Sequence, residues 1–381
     1  MSFRDWIKSL IPAALRLPLD RVLRPLSGLP RSLLILLMKP VKGGKPHVFY
    51  GFDHIPGDSE HAHGRIIKAQ LMQGTFPNSP RGFNILYMVS SRIPYGAVQI
   101  AAAARMKGTH LIWNQNGVAY PAWHGPGWEA VNAPLAKLLH AAAYVFYQSE
   151  FCRLSADRYL GPRKGPWEIL YNPVDTRLFV PGSSDLPSGG LVMLLAGNQD
   201  QSYRLLSALE VLSEVVRLGK DATLLVTGRL GWMPDQAEAG RSARQWAAER
   251  GVLDRVSFLG KYSQRDAPDI FRRAHLLLHT KYNDPCPSVV IEAMACGLPI
   301  VYSESGGVPE LVGKDAGIGI SVERGWDRDI APDPKVMAEA VIKVADRRKE
   351  YSAAARQRAE ETFDLRPWLR RHQTVFEDVV K

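Results

Sequence analysis

The sequence predicts an α/β protein made of two doubly wound parallel-sheet domains facing each other across a cleft. Three observations carry this expectation. From His47 onward, short apolar runs alternate with longer amphipathic ones, the pattern of βα units around a parallel sheet. At ~100–200 residues per domain, 381 residues make two domains or one large one. Residues 181–190, rich in Pro, Gly and Ser and without periodicity, interrupt the alternation near its middle as a linker would.

In the first domain, residues 46–180, the strand candidates are His47–Gly51, Phe83–Ser90, His110–Trp113, Tyr144–Gln148 and Glu168–Tyr171, with helical patterns near 60–73, 95–107, 127–142 and 150–160. In the second, residues 191–353, they are Leu191–Ala196, Ala222–Thr227, Val256–Leu259, His275–His279, Ile300–Tyr302 and Ile318–Ser321. Helices are expected there near 202–218, 235–250, 266–274, 288–296, 308–312 and 333–347. Residues 354–381 read as helical with a break near Pro367, placed either on the second domain or back across the first. Open parallel sheets bind ligands beyond the carboxyl ends of their strands, so two such rims would share one cleft.

Apolar residues at 46% and charged ones at 23% exclude disordered, collagen-like and coiled-coil classes. Cys152, Cys286 and Cys296 make no disulfide framework and no C-x-x-C pair, which points to a reducing, cytoplasmic compartment and away from structural zinc. The net charge of +10 is concentrated: residues 1–45 carry nine basic and two acidic side chains, a net of +7. A nucleic-acid surface would spread Lys and Arg over the folded body, so nucleic acid is not an expected partner. The longest apolar run of this leader, Leu33–Met38, is six residues, against the ~20 that span a bilayer. Its mixture of basic and apolar groups fits an anionic membrane surface, in which case the protein is peripheral on the inner face. A flexible leader or a helix packed on the body is the alternative.

The most informative stretch is Tyr282 to Ile300. A strand ends at His279, a Pro-stiffened loop follows, and Ser288 is placed to cap a short helix that Gly297 ends. The first N–H groups of that helix, on Ser288, Val289 and Val290, would meet an anion at the strand rim. Glu292 lies one turn in, where a carboxylate can accept hydrogen bonds from vicinal hydroxyls of a ribose, and Asp284 precedes it by eight residues. After one more strand, Gly306-Gly307-Val308-Pro309-Glu310 offers a second cradle. Taken alone, either motif reads as a helix cap or a turn. Together, on adjacent strand ends, they suit a diphosphate flanked by two sugars.

At these residues the sequence resembles the family-four retaining glycosyltransferases and their GT-B fold of two Rossmann-like domains. The family pattern is an acid, seven residues, a Glu, Ala-Met-Ala-x-Gly-x-Pro, then Gly-Gly-x-x-Glu. It is met by Asp284, Glu292, Ala293 to Pro299 and Gly306 to Glu310. The likeness covers residues 170–365, including Asn172-Pro173-Val174-Asp175, and reaches the first domain only loosely. It implies a nucleotide diphosphate sugar as co-substrate, no cofactor, and retention at the transferred carbon. Asp284 would orient the sugar hydroxyls, Glu292 the ribose, and Arg204, Ser288, Val289, Gly306 and Gly307 would absorb charge on the leaving diphosphate. Two departures stand out. Asp284 replaces Glu, and the donor loop Gly197-Asn198 has Asn where the family has Arg, with Arg204 where it has Lys and Arg229 as a substitute cation.

On the acceptor side, Trp113 to Glu129 follows a strand and precedes a helix. Asn116, Trp123, His124 and Glu129 are its candidates for holding a glycan or lipid-linked acceptor by stacking and hydrogen bonds, unless the tryptophans merely cap the core. Asn116 occupies the place of a His common in the family, and His124 is the stand-in. A second candidate loop, Asp58 to Gly64, includes Glu60. No D-x-D motif appears in a metal-binding context, so no essential metal is expected. No strand is followed by G-x-G-x-x-G, which excludes a nicotinamide-dependent dehydrogenase. The rival function is a two-domain module that binds nucleotide sugars without transferring them. A basic leader on such an enzyme points to lipid-linked bacterial glycans such as capsule, exopolysaccharide or lipopolysaccharide.

Overall fold

A computed structural model describes residues 29–41, 43–57, 64–182 and 190–381. The first sheet is parallel and runs in chain order: β1 (Val48–Phe49), β2 (Ile85–Val89), β3 (His110–Gln115), β4 (Tyr144–Tyr147) and β5 (Trp167–Ile169). The second contains β6 (Leu191–Leu195), β7 (Ala222–Thr227), β8 (Val256–Gly260), β9 (Leu276–His279), β10 (Ile300–Ser303) and β11 (Gly317–Ile320), in the order β11-β10-β9-β6-β7-β8. This order reverses between β6 and β9, which pair through Met193–Leu276 and Leu194–Leu277. In open α/β sheets a reversal opens a crevice beyond the strand ends, and the loops leaving Leu195 and His279 border it. Among the described residues the first sheet has no reversal. Topology alone therefore favours the second domain for a tightly held ligand.

The helices are α1 (Leu29–Leu37), α2 (Gly64–Met72), α3 (Ala97–Met106), α4 (Pro121–His124), α5 (Trp128–Ala141), α6 (Glu150–Tyr159), α7 (Ser202–Arg217) and α8 (Gln236–Glu249). They continue with α9 (Ala267–Phe271), α10 (Ser288–Ala295), α11 (Val308–Val312), α12 (Pro334–Asp346), α13 (Arg348–Thr362) and α14 (Leu365–Val380). None of them is long and apolar enough to cross a membrane. Of the basic leader, residues 1–28 lie outside the described residues, as do residues 183–189 of the linker and the Asp58–His63 loop that contains Glu60. The run Leu33–Met38 falls largely in α1, which buries Ile35 against the first domain and leaves Leu33, Leu34 and Leu37 exposed.

Strand alternation divides the first sheet cleanly. Leu86, Met88, Trp113, Val145 and Tyr147 face the core shared with α3 and α5. Ile85, Tyr87, Val89, Ile112 and Phe146 face the other way, onto Leu365, Trp368, Val375 and Phe376 of α14. The last helix thus crosses from the end of the second domain to cover the first. The expected break near Pro367 is present, a few residues earlier in the chain. It falls at Phe363-Asp364, where Val174 N–H donates to the Phe363 carbonyl at 2.8 Å and Leu365 N–H to the Val174 carbonyl at 3.0 Å. Asp364 caps α14 by accepting Arg366 N–H, and Pro367 sits harmlessly in the first turn, where no intrahelical N–H is needed.

His372 lies at the centre of this crossing, buried among Phe146, Trp368, Phe376 and Tyr87. Its Nε2 is 3.2 Å from Tyr87 Oη and its Nδ1 2.9 Å from the Trp368 carbonyl. Burial lowers its pKa to about 3, so the folded state holds a neutral ring that the unfolded chain would protonate below ~6.5. The stability this gives is complete above pH 6.5 and drains away as pH falls toward 3. Chemical denaturation at pH 7 and pH 5 should therefore show the wild type losing ~2 kcal/mol more than His372→Phe over that interval, whatever the variant's absolute stability.

Candidate functional site

The donor-side loops are locked by backbone. Gly197, just past β6, adopts φ 84°, a conformation that favours glycine. Gly228, past β7, lies so close that a Cβ there would stand 2.1 Å from the Gly197 carbonyl. Gln199 N–H donates to the Arg229 carbonyl at 2.8 Å, and Gly231 N–H returns to the Gln199 carbonyl at 2.7 Å. Asn198 Oδ1 accepts Arg229 N–H at 3.1 Å. The Arg229 side chain, half exposed, pairs with Asp200, so its charge is already answered on the surface. Arg204, in the first turn of α7, is 5% exposed. It donates to the Asn198 carbonyl while its buried Nε has no partner. Burial lowers its pKa, opposed by Asp284.

The acid Asp284 is buried in the loop after β9. His279 Nε2 and Lys281 Nζ each lie 3.3 Å from its Oδ2. Burial alone would raise its pKa, but Lys281, His279 and Arg204 together hold it well below the usual carboxylate range. The preceding residue, Asn283, has φ 49°. That strained turn is fixed by its own N–H to Ser305 Oγ at 2.9 Å and by Nδ2 to the Gly325 carbonyl at 2.9 Å.

Two expectations need correction here, the Ser288 cap and the free Val290 N–H. Ser288 does not cap α10: Pro287 is the cap residue and Ser288 is the first helical one. The N–H of Val290 is turned back to the Pro287 carbonyl at 3.1 Å, leaving Ser288 and Val289 as the outward N–H groups of the first turn. The Gly306-Gly307 pair has a packing role that the sequence did not show. A Cβ on Gly306 would stand 2.4 Å from the Asp284 carbonyl and one on Gly307 2.1 Å from that of Pro285, and Gly307 N–H already donates to Asp284 O at 2.8 Å. Glycine is required because the Asp284 loop passes directly over it. Glu292 is buried in α10, and Gln264 Nε2 donates to its Oε1 at 2.6 Å. Burial, partly offset by that bond, raises its pKa to about 7.

The first domain meets this loop directly. Ser149 Oγ donates to the Pro285 carbonyl at 2.6 Å, and Gly117 packs on the Pro285 ring so closely that a Cβ would come within 3.0 Å. Glu310 reaches across from α11 and accepts Glu150 N–H at 2.8 Å and Phe151 N–H at 3.0 Å, capping α6 of the other domain. Trp123, exposed on α4, lies 4.9 Å from Lys281 Nζ, which ties this acceptor candidate to the Asp284 loop. Asn116 sits beside Gly117 with its own N–H on Ser90 Oγ at 2.7 Å, and its Oδ1 is taken by Gly117 N–H at 2.8 Å. His124 and Glu129 are exposed on α4 and α5. Sequence reasoning missed Lys281, Gln264 and Trp326. Trp326, on the loop between β11 and α12, stacks on Phe151 at 5.1 Å and meets Tyr120 and Tyr159 edge-on, and its carbonyl accepts Ala122 N–H at 2.9 Å. A lone Trp in a charged loop gave no local signal for this.

Residues 180–362 match the family described as glycosyl transferases group 1. Among curated proteins, the chain is 30% identical over 158 residues to a D-inositol 3-phosphate glycosyltransferase of Streptomyces bingchenggensis, covering 40% of this chain and 34% of that protein. It is 28% identical over 152 residues to its counterpart in Mycolicibacterium smegmatis, covering 38% and 34%. The chain thus matches about a third of the length of these relatives. Three solved structures share the fold. Sucrose-phosphate synthase from Thermosynechococcus elongatus has a TM-score of 0.64 at 17% identity over 83% of this chain and 77% of that one. Anabaena HepE in complex with UDP-glucose has 0.63 at 18% over 83% and 90%. A glycosyltransferase from Rickettsia africae has 0.63 at 14% over 97% of both chains. The architecture is the GT-B arrangement of two facing α/β domains.

The interdomain clasp is directly testable. Glu310→Ala removes the side-chain cap on the first two N–H groups of α6 and should cost ~1–2 kcal/mol in urea unfolding. Trp326→Ala should cost ~2–3 kcal/mol through lost aromatic packing.

Proposed function

On the premise that residues 180–362 are a group 1 glycosyl transferase domain, we propose that the chain moves a sugar from a nucleoside diphosphate sugar to a glycan or lipid-linked acceptor. The reading is of a retaining, metal-independent transfer. The observation that carries it is the buried, partly unpartnered Arg204 guanidinium beside Asp284 at the switch point of the second sheet. A leaving diphosphate gains negative charge as the anomeric C–O bond breaks, and a preorganised buried cation stabilises that charge most where water is excluded. Ser288 and Val289 N–H groups add donors from the same rim. Asp284, kept ionised, accepts hydroxyls of the donor sugar, and Glu292 accepts those of the ribose. Trp123 offers a stacking face opposite. The UDP-glucose bound by HepE is of the donor class this site would take.

The setting of this reaction is surface polysaccharide biosynthesis at the cytoplasmic face of the membrane. The +7 charge of residues 1–45 and the outward Leu33, Leu34 and Leu37 of α1, exposed by 59%, 55% and 83%, support it. Replacing Leu34 and Leu37 together by Glu should at least halve co-sedimentation with vesicles of phosphatidylglycerol and leave melting temperature unchanged.

Release of nucleoside diphosphate from a panel of UDP-, GDP- and ADP-sugars, in the presence of a bacterial lipid extract, tests the transfer itself. The wild type should release it equally well with EDTA, and Arg204→Met or Asp284→Asn should slow release at least 100-fold. No release from any donor would overturn the proposal in favour of a binding module. Nucleotide affinity should also depend on pH. Because Glu292 has a pKa of about 7 and binds hydroxyls as a carboxylate, affinity should rise about tenfold between pH 6 and pH 8, and Glu292→Gln should remove that dependence.

A further inference from the structure

The rim of the first sheet holds two arginines that the transfer reading leaves without a task. Arg65 lies in the first turn of α2, and Arg92 ends the 3-10 turn Ser90–Arg92 that follows β2. The two elements are packed together, since a Cβ on Gly64 would stand 3.0 Å from Ser91 Oγ. The Arg65 guanidinium is fixed in place, 4.0 Å over the Phe52 ring and with Nη1 3.4 Å from the Cβ position of Gly51. Its Nε and Nη1 are buried and meet no hydrogen-bond partner. Among the described residues no carboxylate pairs with it. Burial, and then the Arg92 charge, lower its pKa to about 10.

This arrangement opposes elementary electrostatics in three ways. Buried N–H donors go unanswered, two like charges sit together, and a cation stands at the positive end of a helix. An anion resolves all three. The location is also specific. Ser90, which opens the same turn, accepts Asn116 N–H at 2.7 Å, and the next residue, Gly117, packs on Pro285 of the Asp284 loop. The arginines therefore border the acceptor side of the cleft.

We propose that Arg65 and Arg92 form an anion subsite of the first domain that takes a phosphate group of the acceptor, a reading that rests on the transfer function above. Arg65 is half-buried and Arg92 exposed, and a guanidinium that swings outward binds phosphate oxygens through paired N–H donors. A soluble sugar phosphate and a lipid-borne phosphodiester offer the same group.

The full chain is first saturated with whichever of UDP, GDP or ADP it binds, which fills the donor site, and is then titrated with inorganic phosphate by calorimetry. Phosphate should bind the wild type. Arg92→Ala, a change at an exposed side chain, should weaken it at least fivefold, and Arg65→Lys, which keeps the charge but loses the fork, at least as much. Lys335→Ala, on exposed surface of the second domain, should leave it unaltered. Absent phosphate binding, or binding that neither arginine variant weakens, overturns the subsite. So does a parallel loss of nucleotide affinity in the two variants, which would place the arginines on the donor side. A chain that binds no nucleotide overturns the transfer reading instead, and the same variants titrated with phosphate alone then decide the subsite. Glycerol 3-phosphate and phosphatidylglycerol vesicles, compared on wild type and Arg92→Ala, separate the two sources. The one whose binding weakens identifies the phosphate taken, and weakening of neither overturns the proposal.

Discussion

The Pro285 carbonyl is where the two domains become one molecule. Ser149 of the first domain donates to it at 2.6 Å, while Gly307 of the second lies so near that no side chain could stand there. The loop that carries Asp284 is consequently pressed between domains, and its strained Asn283 is held by Ser305 and by the Gly325 carbonyl of the Trp326 loop. The placement of the acid is therefore a property of the docked pair. Glu310 and Trp326 reinforce the same clamp from either side, one by capping α6 and the other by stacking on Phe151 of that helix. Any change in the angle between domains would be felt at Asp284 first.

The two site carboxylates are tuned in opposite directions by environments only eight residues apart. Asp284 has a lysine and a histidine within 3.3 Å and stays ionised despite burial. Glu292 has only the neutral Gln264 amide, and burial prevails. Pairs of acids whose surroundings separate their protonation usually divide their labour. Here one carboxylate is held ionised by its neighbours and the other titrates near neutrality, so the two are suited to different tasks.

The second domain was legible in the sequence because its information is local. Buried strands and Gly297 ending α10 are written within a few residues of where they act, and Asp284 and Glu292 both follow β9, one in its loop and one within α10. The reasons for particular residue types were less legible. Gly306 and Gly307 read as a cradle, yet their smallness is imposed by a loop more than 20 residues earlier in the chain, a tertiary contact with no local trace. Ser288 looked like a helix cap because Ser usually is one, but Pro287 has the extended backbone of the capping position. Lys281 and Trp326 passed unnoticed for the same reason: each gains its role from a partner on a distant element. The crossing of α14 was left open, because an amphipathic helix shows which face it buries and not what covers it.

The family that the sequence resembles has a cation where this chain has Asn198, and the charges near that loop are arranged differently here. Arg229 does not restore it, since Asp200 answers its charge. Around Asp284, by contrast, stand Arg204 and Lys281, with burial lowering the pKa of His279. Asp200 also acts on Arg204 and Asp329 on Lys281, so acids and cations alternate through this cluster. Within it the buried Arg204 Nε has no hydrogen-bond partner, and an unanswered buried donor is costly until an acceptor arrives. Lys281, in the loop after β9, pairs with Asp284 and lies over the Trp123 ring of the opposite domain, so one ammonium both offsets the buried acid and joins the facing walls of the cleft.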